Sequence, residues 1–297
     1  MKPQTKAYLL TVFVILFWGT AASAFKIALK QVTPYTLLLW SVAVSTVVLL
    51  IILILQGKLG LLRHAEAPVV RKNLLLGVVN PFLYYVVLFK AYSLLPGQIA
   101  MSLNYAWPLA LTLLSVPILG QKLSRSQLLS VAVSFFGAIL IATHGQFTNL
   151  GDLSSPGLFL AGGSALIWAS FWLLNAKDGL DPVLKLFLGF VSGLVCTMLF
   201  SPLFGGIALP PAAAWPALIY VGLFEMGITF VLWLTALQLS ATAARVGNLI
   251  YITPFLSLIF LRFIIHEQIY PATCLGLALI VSSLVFQEYC AKREQLR

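Results

Sequence analysis

Charge is what this sequence lacks most. Eighteen lysines and arginines, eight acids and three histidines are spread over 297 residues, so only 9% of positions are charged, against about 25% in an average soluble domain. So few polar groups exclude a soluble enzyme with a sorted core, and the apolar excess equally excludes a disordered chain. Cysteine is nearly missing: Cys196, Cys274 and Cys290 sit in apolar runs without paired spacing, which rules out a disulfide framework. The three histidines, His64, His144 and His266, form no His-x-x-x-His pair, and no metal site is expected. There is no Walker A loop and no Gly-x-Ser-x-Gly elbow, so the usual machinery for ATP-driven pumping and for serine hydrolysis is absent. No motif calls for a cofactor.

What the chain has is apolar sequence, 61% of all residues. It falls into ten segments at approximately 7–29, 36–55, 73–93, 98–119, 127–143, 157–175, 183–204, 214–236, 243–265 and 271–290. A bilayer core takes about 20 apolar residues per helix, so ten spans use roughly 200 positions and leave no room for a sizeable extramembrane domain. Runs this long lack the alternation of barrel strands, and backbone groups inside a bilayer must be satisfied within the segment, so helices are expected. The first segment has a rival reading as a cleavable signal peptide, because Lys2 and Lys6 precede it and Ala21-Ala22-Ser23-Ala24 lies within it. Its length, and the nine spans that follow, favour a retained helix.

The formal charge of +10 comes from basic residues lying mainly between apolar runs, which points to membrane surfaces and lipid headgroups and not to nucleic acid. With the N-terminus inside, Lys2, Lys6, Lys58, Arg63, Arg71, Lys72, Lys122, Arg125, Lys177, Lys292, Arg293 and Arg297 all fall on the cytoplasmic side, while on the other side Lys30 is the one basic residue clearly in a loop and 144–156 and 205–213 contain no lysine or arginine. Both termini are therefore expected in the cytoplasm.

The chain repeats itself. Gly77 to Pro108 aligns with Gly222 to Pro254 with one insertion, pairing Tyr105 with Tyr251, Pro108 with Pro254, Asn80 with Glu225 and Gln121 with Glu267. Phe17-Trp18-Gly19 and Ile167-Trp168-Ala169 open comparable segments upstream. The expected fold is an all-α integral membrane protein of ten transmembrane helices, arranged as two inverted five-helix repeats over residues 1–143 and 144–297. The odd number per repeat makes the second copy enter from the opposite side, which suits the unequal loop charges.

Candidate site residues follow from depth. Trp40 and Trp215 open their helices at the expected outer interface, where indole rings commonly settle. Trp18, Trp107 and Trp168 fall near mid-span, and Trp107 lies three residues after Asn104 as Trp168 lies four after Ser164, which puts each pair on one helix face. Asn80 and Tyr84 share a face by the same spacing, as do Glu225, Thr229 and Trp233. Glu225 is the single acid that deep, and a charge at a span's centre costs about 2.5 to 3.5 kcal/mol on insertion scales. It is read as a group that meets a substrate ammonium or exchanges a proton. Asn248 and Tyr251 follow Arg245 at the start of the ninth segment. Lys26, Lys90 and Arg262 are read as snorkelling to an interface, Pro108 and Pro254 as bending their helices, and the Gly189–Gly193 spacing as close helix packing.

These residues also carry a resemblance. The duplicated ten-helix plan resembles the EamA type of the drug/metabolite transporter superfamily over almost the whole chain. Asn104-Tyr105-Ala106-Trp107-Pro108, Gly120-Gln121-Lys122 and Ile167-Trp168-Ala169 look like the YddG-type branch of aromatic amino acid exporters. Family members often carry glutamate where Gln121 stands, and here only Glu267 of the second half keeps it. The resemblance implies a non-enzymatic bacterial inner-membrane carrier exporting aromatic amino acids or similar amphipathic metabolites by alternating access. Trp18, Trp107, Trp168 and Tyr84 would contact the ring, and Asn80, Asn104, Glu225, Asn248 and Tyr251 would complete the site. A broader amino acid or drug efflux carrier, a passive channel and an intramembrane enzyme are the alternatives.

Overall fold

The computed structural model describes residues 2–120, 123–143, 145, 154–175, 180–240 and 243–295. Gln121, Lys122, His144, Lys177 and Arg297, and the side chains of Arg245, Asn248, Lys292 and Arg293, lie outside the described residues. The described chain is helical, with no strand. In order the helices are α1 (Pro3–Leu29), α2 (Pro34–Leu55), α3 (Ala67–Leu94), α4 (Gly97–Asn104), α5 (Trp107–Leu119), α6 (Arg125–Ala142), α7 (Ser155–Asn175), α8 (Pro182–Phe204), α9 (Ala212–Leu239), α10 (Ala243–Ile250), α11 (Thr253–Ile264) and α12 (Pro271–Gln295).

Local sequence explains where they start. Pro3, Pro34, Pro182 and Pro271 stand in first turns, where the missing N–H costs nothing. Thr33 caps α2 by accepting from the Thr36 N–H at 3.1 Å, Ser124 and Gln127 form a capping box on α6, and Asp181 accepts from Val183 and Leu184 to cap α8.

All ten expected segments fall on helix, with differences in length and continuity. Eight helical stretches of the described chain are long and apolar enough to cross a membrane, while Arg125–Ile141 and Thr253–Ile264 are shorter. The fourth and ninth segments are each broken, between Asn104 and Trp107 and between Ile250 and Thr253. Each break directly precedes the proline expected to bend the helix. Pro108 and Pro254 stand in the first turns of α5 and α11, where their rings are tolerated.

Two further irregularities occur at matching positions. α3 is kinked within Val78–Leu83, where Asn80 has non-helical dihedrals, and α9 widens into π-type turns over Val221–Gly227. Both fourth and ninth segments end in a left-handed residue, Gly120 at φ 66° and His266 at φ 59°.

Packing interleaves the halves. α1 lies against α11 and the second part of α9, while α7 lies against α5 and the second part of α3. α2 pairs with α8 and with the π turns of α9, α8 with the kinked stretch of α3, and α6 with α12. Of the Gly189–Gly193 pair, only Gly193 lacks room for a side chain: a Cβ there would stand 2.5 Å from Pro81 Cγ, while one on Gly189 would meet no non-local atom nearer than 3.8 Å, and the tight glycine opposite Gly189 is Gly77. Outward faces carry large apolar side chains, including Leu55, Phe135, Phe159, Leu209 and Phe263. Faces so apolar suit lipid and not water, which makes this chain an integral membrane protein.

Candidate functional site

The interleaved helices leave a cavity of about 360 Å³ near the centre of the bundle, within the usual range of about 300–1,000 Å³ for small-molecule sites. Its walls are aromatic. Trp18, Trp107, Trp168, Trp172 and Trp233 line it, five of the seven tryptophans in the chain, together with Phe25, Tyr84, Tyr92, Tyr105 and Phe230. The other two, Trp40 and Trp215, pair edge to face at 5.0 Å elsewhere, and the Trp40 indole donates to the Ala208 carbonyl at 2.9 Å.

Ring geometry fixes the walls. Trp168 is buried and packs on Tyr84 at 4.7 Å, Phe230 at 5.8 Å, Trp172 at 5.9 Å and Phe171 at 6.1 Å. Trp18 faces Phe230 and Trp233, each at 6.0 Å. These separations are those at which aromatic quadrupoles attract. Trp18 is also held by a hydrogen bond from its Nε1 to the Glu225 main-chain carbonyl at 3.2 Å. That carbonyl belongs to the π turns of α9, where the regular i−4 ladder is interrupted.

Few polar groups enter, and most are already oriented. Tyr85 donates to Glu225 Oε1 at 3.1 Å. Tyr84 donates to Asn104 Oδ1 at 3.3 Å, and Asn104 Nδ2 donates to Ser164 Oγ at 2.8 Å. Glu225 is the single ionisable acid among the lining residues described, and no lysine or arginine is among them. The Trp172 Nε1 group is buried with no hydrogen-bond partner among the described residues.

Of the nine residues singled out by sequence, the cavity brings together Trp18, Tyr84, Asn104, Trp107, Trp168 and Glu225. Asn80 lies elsewhere. It lines a second cavity of about 130 Å³ that also meets Trp172 and Lys185. The cause is local: Asn80 precedes Pro81 and has extended dihedrals, φ −145° and ψ 119°, at a kink in α3, so four-residue spacing no longer places it on the face of Tyr84. Tyr251 is half-buried at the break before α11 and is not among the lining residues. Lys26 does not snorkel: its Nζ donates to the carbonyls of Tyr92 at 3.1 Å and Leu95 at 3.0 Å. Lys90 and Arg262 are exposed.

Sequence reasoning left out Trp172, Phe230, Tyr92 and Tyr105. Trp172 could have been found from its four-residue spacing to Trp168, which puts both indoles on one face of α7. Phe230 carries no such mark, because it is one of many phenylalanines in apolar runs.

The fold and cavity define a multi-pass membrane protein built around an aromatic-lined chamber. The sequence matches the EamA-like transporter family over residues 5–143 and 155–287, and the chain belongs to that family. Among its relatives, the aromatic amino acid exporter YddG of Ancylobacter novellus is 25% identical over 73% of this chain and 76% of its own length. The uncharacterized transporter YvbV of Bacillus subtilis is 24% identical over 95% and 91%. A probable terminal-alkyne amino-acid exporter of Streptantibioticus cattleyicolor is 26% identical over 95% and 93%. A crystal structure covering 97% of this chain and 98% of its own superposes with a TM-score of 0.66 at 23% identity, which establishes the shared fold.

Proposed function

We propose that this protein exports aromatic amino acids, or amphipathic metabolites of similar shape, from the bacterial cytoplasm across the inner membrane. The observation that carries the reading is the convergence of five of seven tryptophans on one cavity that also receives a single carboxylate, Glu225. Flat apolar walls offer stacking surface, and a carboxylate offers a partner for an ammonium. Trp18, Trp107, Trp168 and Tyr84 contact the ring. Glu225 and Asn104 meet the polar end, and Asn80, Asn248 and Tyr251 are second-rank candidates because no described contact joins them to the cavity. The printed name of the Ancylobacter novellus relative supports an aromatic cargo.

The mechanism is alternating access by two inverted five-helix repeats, residues 1–143 and 144–297, through ten membrane passages with both termini in the cytoplasm. The irregular stretches at corresponding places in α3 and α9, the matched breaks before Pro108 and Pro254, and the left-handed residues Gly120 and His266 support the duplication. So do the exchanged contacts of α1 and α7 and the two-stretch family match. Helices broken near a central site are the usual architecture of such carriers.

The test is counterflow by purified protein in liposomes against a panel of labelled amino acids, with and without a proton gradient. Saturable exchange of phenylalanine, tyrosine and tryptophan exceeding that of alanine supports the reading, and ohmic, non-saturating flux contradicts it. The relative from Streptantibioticus cattleyicolor favours a second reading, a carrier for amino acids with other apolar tails, and an alkyne-bearing amino acid in the panel decides between them.

A further inference from the structure

Glu267 is the repeat counterpart of Gln121, and it is not among the residues that line the central cavity. Its carboxylate instead reaches across to the first half of the chain. The Gly97 N–H donates to Oε2 at 2.9 Å and the Gln98 N–H to Oε1 at 3.0 Å. These are the first amides of α4, groups that a helix leaves without internal partners, and a carboxylate there makes charge-assisted bonds and complements the helix dipole.

The same junction holds two more connections. Gln98 is fully buried; its Nε2 donates to the Gln268 carbonyl at 2.6 Å, and its Oε1 accepts from the Tyr270 N–H at 3.0 Å. Lys26 ties the end of α1 to the closing carbonyls of α3, Tyr92 and Leu95. His266 sets the direction of the link. Its left-handed backbone turns the chain back so that the Glu267 N–H bonds the Leu261 carbonyl at 3.1 Å and its carboxylate faces α4.

The junction lies at one end of the cavity. Phe25, Tyr92 and Met101 line the chamber, and they are, in turn, the neighbour of Lys26, the source of one carbonyl it binds, and a residue one turn into α4. Packing leaves no channel at Gly97, where a Cβ would stand 2.8 Å from Leu261 Cδ2, 3.2 Å from Glu267 Oε2 and 3.3 Å from Lys26 Cγ. Glu267, Gln268 and Tyr270 belong to the second half of the chain and their partners Gly97 and Gln98 to the first, whereas Lys26 and its carbonyl partners all lie in the first half. Two bodies that rock about a central site must separate at such an end to admit solvent.

We infer that Glu267, with Gln98, forms a gate that closes the aromatic cavity at the end of the bundle where α3 meets α4 and α11 meets α12, and that the gate is shut in this structure. The inference rests on the transporter reading, and the proposed topology places this gate on the outer face. Glu267 and Gln98 also act as positioning residues, because the helix they hold carries Asn104 into the cavity. A handful of polar bonds, one set charge-assisted, is strong enough to bias the closed state and weak enough to break in each cycle.

The test reads accessibility and needs no cargo. In protein whose Cys196, Cys274 and Cys290 are replaced by serine, Met101→Cys is exposed to a membrane-impermeant thiol reagent added to one side of sealed liposomes at a time. With Glu267 intact, modification is slow from the side of the α11–α12 loop. Glu267→Ala raises that rate about tenfold or more, the factor expected from losing a charge-assisted hydrogen bond of about 1.4 kcal/mol or above, and Glu267→Gln raises it less. Because Glu267→Ala could impair folding, monodispersity on chromatography is required of each variant, and a second measurement stands beside it. Where mass spectrometry shows that the disulfide has formed, oxidising Gln98→Cys with Gln268→Cys locks the junction, which stops counterflow until reductant restores it.

Unchanged Met101→Cys labelling in well-folded Glu267→Gln and Glu267→Ala proteins, or full counterflow in the oxidised double-cysteine protein, overturns the gate. Gln268→Cys labelled from the cytoplasm would reverse the proposed topology while leaving the gate standing. Absence of aromatic counterflow in the unmodified protein would remove the cargo assignment while the labelling rates still judge the gate.

Discussion

Trp18 tests the cavity most finely, because its structure separates ring from donor. The indole presents one face to the chamber and packs on Phe230 and Trp233, while its N–H is spent on the Glu225 carbonyl. Trp18→Ala removes the stacking surface. At about 0.5 to 1.5 kcal/mol for an aromatic pair beyond area burial, and about 1.4 kcal/mol per tenfold, affinity for phenylalanine falls about two- to twelvefold. Trp18→Phe keeps a ring in place and loses the hydrogen bond. Leaving that carbonyl without its partner costs about 1 to 3 kcal/mol of stability, so Trp18→Phe lowers thermal stability but changes affinity less than threefold. The assay is equilibrium binding of labelled phenylalanine to purified protein, with thermal unfolding measured on the same samples. Equal affinity in wild type, Trp18→Phe and Trp18→Ala, with all three folded, refutes the ring-stacking role.

Three further outcomes are expected. Glu225→Gln lowers binding of amine-bearing cargo at every pH while a deaminated analogue loses less; a fully active glutamine protein with an unchanged pH profile removes Glu225 from the site. Gly193→Ala, whose Cβ meets Pro81, lowers the unfolding temperature, whereas Gly189→Ala, with its nearest non-local atom at 3.8 Å, is neutral or mildly stabilising because alanine is the better helix residue; equal effects contradict the packing account. Single cysteines in 58–72 label from the cytoplasm and those in 205–213 from outside, and labelling of both sets from one side contradicts the inverted topology.

The helices were legible because long apolar runs leave few alternatives, and the bends were legible because proline removes a donor at a fixed place. Trp18, Trp107 and Trp168 could be placed near the cavity from depth alone. The face argument failed where the helix itself fails: Asn80 and Tyr84 are four apart, but the kink and extended dihedrals at Asn80 break the periodicity on which that spacing relies. Glu225 sits in π turns and still lines the chamber, so the two repeats diverge in what they present. The sequence carries a mark of that divergence, because Pro81 follows Asn80 and biases it to extended backbone, whereas Met226 follows Glu225. Lys26 was misread for a related reason, since its carbonyl partners come from α3 and long-range partners of a lone lysine leave no local pattern. Glu267 stood out by its family position, yet its contacts with Gly97 and Gln98 span 170 and 169 residues of chain.

The central claim is that the tryptophan-lined chamber holds the aromatic ring of the cargo. Crystals grown with 4-bromophenylalanine, measured at the bromine absorption edge, test it directly. The account predicts an anomalous peak inside the cavity bounded by Trp18, Trp107 and Trp168, with the amino acid's polar end toward Glu225 and Asn104. A peak at any other place, or none from protein that exchanges the same compound across liposomes, would contradict it.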